Sequence, residues 1–171
     1  MKNIIIMLFI MFVPQKSYST NLLPSLPAKP AATGTILVTA IVPITCTVTT
    51  AAIAFPNYLT SSASNTTQNA PLIVTCTNGT AYNIELSAGN GVSATTSSRS
   101  MTSVTGNHSL PYKLCQDAAC TKNWGMQDGT DTVSYTSRGG VDNYVVYGVI
   151  APGGNPVGGV YSDIINVTVN Y

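Results

Sequence analysis

The chain is poor in charge. Of its 171 residues only 8% are charged, seven Lys or Arg against six Asp or Glu, with one histidine and one tryptophan. No basic run occurs, and nucleic-acid binding needs several cations facing phosphates, so that class is set aside. Patterns that carry chemistry are equally scarce. There is no GxSxG, no Cys/His couple and no glycine-rich phosphate loop leading into a helix. His108 stands alone in "TGNHSL", and "CQDAAC" has no second Cys/His pair near it, which argues against a metal site. Asp128 and Asp131 in "QDGTD" read as solvated turn residues rather than a catalytic carboxylate pair. Trp124 in "NWGMQDG" reads as a core or rim aromatic rather than a platform for a sugar. The expectation is a protein that is not an enzyme and holds no cofactor.

Long apolar runs are missing too, except at the start. Met1-Lys2 is followed by the uncharged "NIIIMLFIMFV", and "SYS" then puts the small residues Ser17 and Ser19 before Thr20. That is the layout of a secretory signal peptide over residues 1–19. Its apolar core is shorter than the roughly 20 residues a membrane span needs. The exported chain would lose Lys2 and Lys16 and no acid, leaving it slightly negative. Residues 20–33, "TNLLPSLPAKPAAT", are rich in Pro and Ala and read as an extended tether.

No window shows helical periodicity. Thr, Ser, Val, Ala, Gly and Asn dominate, which are residues of strands and turns. "CTVTTAAIAF" (46–55), "PLIVTCT" (71–77) and "NYVVYGVI" (143–150) are strand-like, with the polar loop "LTSSASNTTQNA" between the first two. "AYNIELSAG" alternates Tyr82, Ile84 and Leu86 with Asn83, Glu85 and Ser87, the pattern of a strand with one buried face. "LPYKLCQD" puts Tyr112 and Leu114 on one face. "YSDIINVTVNY" alternates Tyr161, Ile165, Val167, Val169 and Tyr171 with polar residues and reads as a final strand. Short strands separated by turn signals predict an all-β sandwich over residues 45–171.

Four cysteines in an exported chain suggest two disulfides, and sequence alone allows three pairings. Cys46–Cys76 and Cys115–Cys120 is the favoured one. "ITCTV" and "VTCT" are strand contexts, while "CQDAAC" is short enough to pin a turn. Asn-x-Thr/Ser triplets at Asn65, Asn78, Asn107 and Asn166 are expected by chance in so Thr-rich a chain.

One stretch is out of place. "GTILVTAIVPITCTV" (34–48) is a further apolar strand set in front of the domain, although an unpaired apolar edge is an aggregation hazard. At the other end the chain stops at Tyr171 within what reads as a central strand, and an immunoglobulin-like sandwich would want one more strand there. The spare strand, residues 34–44, could fill that gap in another molecule, which is donor-strand complementation.

"ITCTV", "VTCTNGTAYNIELSAG", "RSM", "LPYKLCQDAACTKNWG", "VYGVIAPGG" and "GGVYSDIINVTVNY", in this order from about Gly34 to Tyr171, resemble the spore coat protein U domain. That is the fold of archaic (Csu-type) chaperone–usher pilins. The resemblance implies an incomplete immunoglobulin-like sandwich, completed by a donor strand from another subunit. It implies three partners: neighbouring pilin subunits, a periplasmic chaperone and an outer-membrane usher. The family's disulfide falls on Cys46 and Cys76. The second cysteine pair and the longer tether depart from the family pattern.

On this reading Ile36, Val38, Ala40 and Val42 enter the neighbour's groove, with Thr35 and Thr39 outward, although Leu37 and Ile41 break a clean alternation. Ile165, Val167 and Val169 form one wall of the accepting groove. Two functions of different class follow. One is a structural pilin, exported through the periplasm to a surface fibre that serves adhesion and biofilm formation. The other is a self-contained secreted spore-coat or lectin-like binding protein.

Overall fold

Alternation along short segments organises the described residues into nine strands. They are β1 (Cys46–Thr50), β2 (Thr66–Cys76), β3 (Ala81–Leu86), β4 (Arg99–Ser103), β5 (Ser109–Cys115), β6 (Val133–Thr136), β7 (Val141–Ile150), β8 (Tyr161–Ser162) and β9 (Val167–Asn170). This computed structural model describes residue 17 and residues 27–171, and no helix occurs among them. Apart from Ser17, the expected signal peptide and the first part of the tether lie outside the described residues. The chain divides into two units, Met1–Ala40 and Ile41–Tyr171. The described part of the first carries no strand, and all nine strands lie in the second.

The second unit is all-β with two sheets. One has the order β1-β2-β7-β5-β4-β8 and the other β6-β3-β9, and every pairing is antiparallel. Alternating side chains from both sheets meet in one core. Leu72 and Val74 come from β2, Ile84 and Leu86 from β3 and Leu114 from β5, and all are buried. Each large side chain contributes roughly 1.5–3 kcal/mol as an upper bound. Trp124 closes this core, fully buried, with its Nε1–H donating to Ile84 O at 3.1 Å. The disulfides join Cys46 to Cys76, which face each other across the β1–β2 ladder, and Cys115 to Cys120.

Three strand limits differ from the sequence reading. Strand β2 starts at Thr66, inside the segment read as a polar loop, because Thr66–Ala70 pairs with the end of β7 (Val146–Ile150). Strand β1 ends at Thr50 instead of continuing to Phe55. The final segment is not one strand. It pairs with β4 as β8, leaves the ladder over 163–166, and pairs with β3 as β9, so it passes from one sheet to the other. Asp163 is the cause of the break. Its Oδ1 accepts from the N–H of its neighbour Ile164, a local alternative to the ladder, and from the distant Asn90 N–H, both at 2.7 Å.

Candidate functional site

Between the end of β1 and the β8–β9 segment the core is incomplete. A cavity of about 420 Å³ opens there, floored by Leu72, Leu86, Leu114 and Val146 from four strands. Ile53 and Phe55 form one rim, and Ile165 and Val167 the other. Protein interiors are close-packed, with few voids larger than a water molecule. An apolar space of this size is therefore a place where side chains are missing. A second hollow adjoins it, sharing Ile53, Phe55, Met101 and Tyr161.

The edges of the groove are open as well. Among the described residues, strand β1 pairs only with β2, and β9 only with β3. Past β1, Ala51 N–H still reaches Pro71 O at 3.4 Å, but among the described residues 52–55 make no backbone–backbone hydrogen bond. Ile53 and Phe55 keep the strand-like alternation, half-buried, against the groove. Gly148 on β7 makes room for them, since a Cβ there would clash with the Phe55 ring.

Polar side chains close one end. Tyr112 O–H donates to Asp163 Oδ2 at 2.7 Å, and both residues line the cavity. Burial, and then this bond, raise the Tyr112 hydroxyl well above the ordinary tyrosine range. Gly89, at φ +86°, gives the Asp163 carboxylate its space, because a Cβ there would overlap it. Beneath this corner Arg99 is fully buried. Its guanidinium donates to Ser87 O (2.8 Å), Thr96 O (2.6 Å), Leu86 O (2.9 Å) and Trp124 O (2.7 Å), and burial lowers its pKa. It ties β3, β4 and the Trp124 turn together where the final segment changes sheets.

The residues singled out from sequence distribute as follows. Ile165 and Val167 line the cavity, while Val169 packs on the core without lining it. Ile36, Val38, Ala40 and Val42 belong to no strand and are exposed, and Leu37 and Ile41 are as exposed as they are. His108 is exposed. Asp128 accepts from Asn83 Nδ2 on β3 (3.0 Å), and Asp131 accepts from Asn123 Nδ2 (2.9 Å) and Gln127 N (2.7 Å), so Asp131 holds its own turn and Asp128 ties that turn to β3. Ile53, Phe55, Met101 and the Tyr112–Asp163 pair were not read as groove residues. For Ile53 and Phe55 the alternation was the available signal.

The profile of the Spore Coat Protein U domain matches residues 32–168, most of the chain. The protein belongs to the Spore Coat Protein U domain family. No curated protein matches the sequence. Among solved structures, this family member is similar to the crystal structure of the CsuC–CsuE chaperone–tip adhesion subunit pre-assembly complex, from archaic chaperone–usher Csu pili of Acinetobacter baumannii. The TM-score is 0.58 at 21% identity, over 76% of this chain and 40% of that one. The likeness is one of fold, and the match spans less than half of the neighbour's length.

Proposed function

We propose that this protein is a structural pilin of a chaperone–usher fibre, polymerising by donor-strand exchange and supporting surface adhesion and biofilm formation. The observation that carries the reading is the apolar cavity with unpaired strand edges on both sides. Its natural occupant is an extended apolar segment that supplies both side chains and backbone groups. Such a segment exists in the chain itself. Ile36, Val38 and Val42 are 88%, 85% and 76% exposed. In this proposal residues 34–44 of one subunit are the donor, with Ile36, Val38, Ala40 and Val42 entering the next subunit's groove. Ile165, Val167 and Val169 are the accepting wall.

Before assembly the groove needs cover, and a periplasmic chaperone of the kind present in the neighbour's complex would supply it. An outer-membrane usher would then exchange chaperone for donor. Each large donor side chain would contribute roughly 1.5–3 kcal/mol as an upper bound, with ladder bonds added. The test is Val38→Asp, which should abolish fibres while leaving a subunit that still folds on its chaperone. Fusing residues 34–42 after Tyr171 through a flexible linker should give a stable, non-polymerising monomer. Assembly by Val38→Asp, or a fusion that still needs a chaperone, would exclude this donor.

A further inference from the structure

The β1–β2 ladder extends beyond the disulfide. Thr77 N–H donates to Thr45 O at 3.0 Å, one position past the Cys46–Cys76 pair. Thr77 Oγ1 accepts from Thr45 N–H at 3.1 Å and donates to Pro43 O, also at 3.1 Å. One hydroxyl accepts one bond and uses its single proton for another, which is what a threonine can do. Residues 43 and 45 are thus both held on the β2 side of the chain. Pro43 adds a restraint of its own: its ring fixes φ, and it biases Val42 towards an extended backbone.

For residues 34–42 to enter the groove beside their own β1, the chain would have to reverse just ahead of Cys46. A tight reversal takes two to five residues, and here they would have to come from 42–45. With 43 and 45 bonded to Thr77, that turn is blocked.

We propose that Thr77 is a positioning residue, an exit clamp that stops the donor segment from folding back into the groove of its own subunit. The clamp keeps each subunit open to a second copy. It rests on the donor-strand reading given above, and it concerns the choice between closing on itself and joining another molecule.

The full chain can be refolded with excess fluorescent peptide of residues 34–45, and folded monomer that takes up no peptide counted as self-closed. Thr77→Val loses both hydroxyl bonds and keeps the backbone one. It should raise the self-closed share at least about fivefold, the effect of roughly one net hydrogen bond. Thr77→Ser, which keeps the hydroxyl, should stay at the wild-type level. Adding Val38→Asp to Thr77→Val should remove the closed species. A merely structural role for Thr77 would lower total folded protein without enriching closed monomer.

A Thr77→Val share equal to wild type, with Val38→Asp still blocking polymers, overturns the clamp and leaves the donor reading standing. Polymers from Val38→Asp overturn both. If Thr77→Val does not fold, Thr77→Ala removes the same hydroxyl with less bulk, and its closed share decides in the same way.

Discussion

Phe55 lies over Gly148. A Cβ on that glycine would stand 2.7 Å from Phe55 Cζ and 3.1 Å from Ile53 Cγ2, while the Phe55 ring meets Tyr112 edge-on at 6.4 Å. The contact sets the height of one rim of the groove. Gly148→Ala should push the rim ring aside. A half-buried ring end moves cheaply and alanine lowers unfolded-state entropy, so stability should change by less than about 1 kcal/mol. Affinity for a peptide of residues 34–45 should fall about fivefold, read by fluorescence anisotropy.

Val167→Asp acts on the opposite rim. It places an unpaired carboxylate in an apolar wall, which costs more than the ~1–3 kcal/mol of an unpaired neutral polar group once a strand covers it. Peptide affinity should drop at least about tenfold, well beyond the effect of Val167→Ala in the same assay. Equal affinities for the two variants would exclude this wall from the accepting surface.

Two buried tyrosines predict an alkaline limit. Burial raises both the Tyr82 and Tyr112 hydroxyls. Bonds to Tyr144 and Asp142 add to the shift at Tyr82, and the bond to Asp163 adds to it at Tyr112. A raised folded-state pKa means the folded protein holds its proton more tightly than the unfolded chain. The resulting stability is complete below the ordinary tyrosine value of about 10 and is lost as pH rises beyond it. Denaturation midpoints at pH 9 and pH 11 should therefore differ, and Tyr112→Phe should reduce the difference.

The two disulfides should differ in weight. Cys46–Cys76 spans 30 positions and Cys115–Cys120 five, for which chain entropy gives about 3.6 and 2 kcal/mol. Cys46→Ser should lower the denaturation midpoint more than Cys115→Ser. Equal losses would show that the short loop does more than pin a turn.

Much of the fold was legible where alternation was strong. Tyr82, Ile84 and Leu86 are buried as a face, and so are Tyr112 and Leu114. The break in the final segment was not legible, because it comes from a side chain. The Asp163 carboxylate bonds Ile164 N and Asn90 N, and the second of these is far away in sequence. Arg99 was hidden for a related reason. A charged residue is ordinarily a surface residue, and only the converging carbonyls of Leu86, Ser87, Thr96 and Trp124 make its burial tolerable. At the groove, Ile165 and Val167 were legible as inward positions. The Ile53–Phe55 rim looked like more strand, since the missing backbone partner leaves no mark in the sequence.

The Cys46–Cys76 crosslink also decides how the domain carries tension. A pull on residues 41 and 42 meets the Thr77 bonds to residues 43 and 45 first, and then the disulfide at Cys46, the first residue of β1. Without the crosslink, β1 could peel away from β2 one bond at a time. With it, the load passes at once into β2, whose ladder with β7 runs from Thr66–Ile150 to Thr75–Val141. The pull is then shared along the longest ladder of the domain, and the segment that leaves the domain is fastened to its interior rather than to an edge.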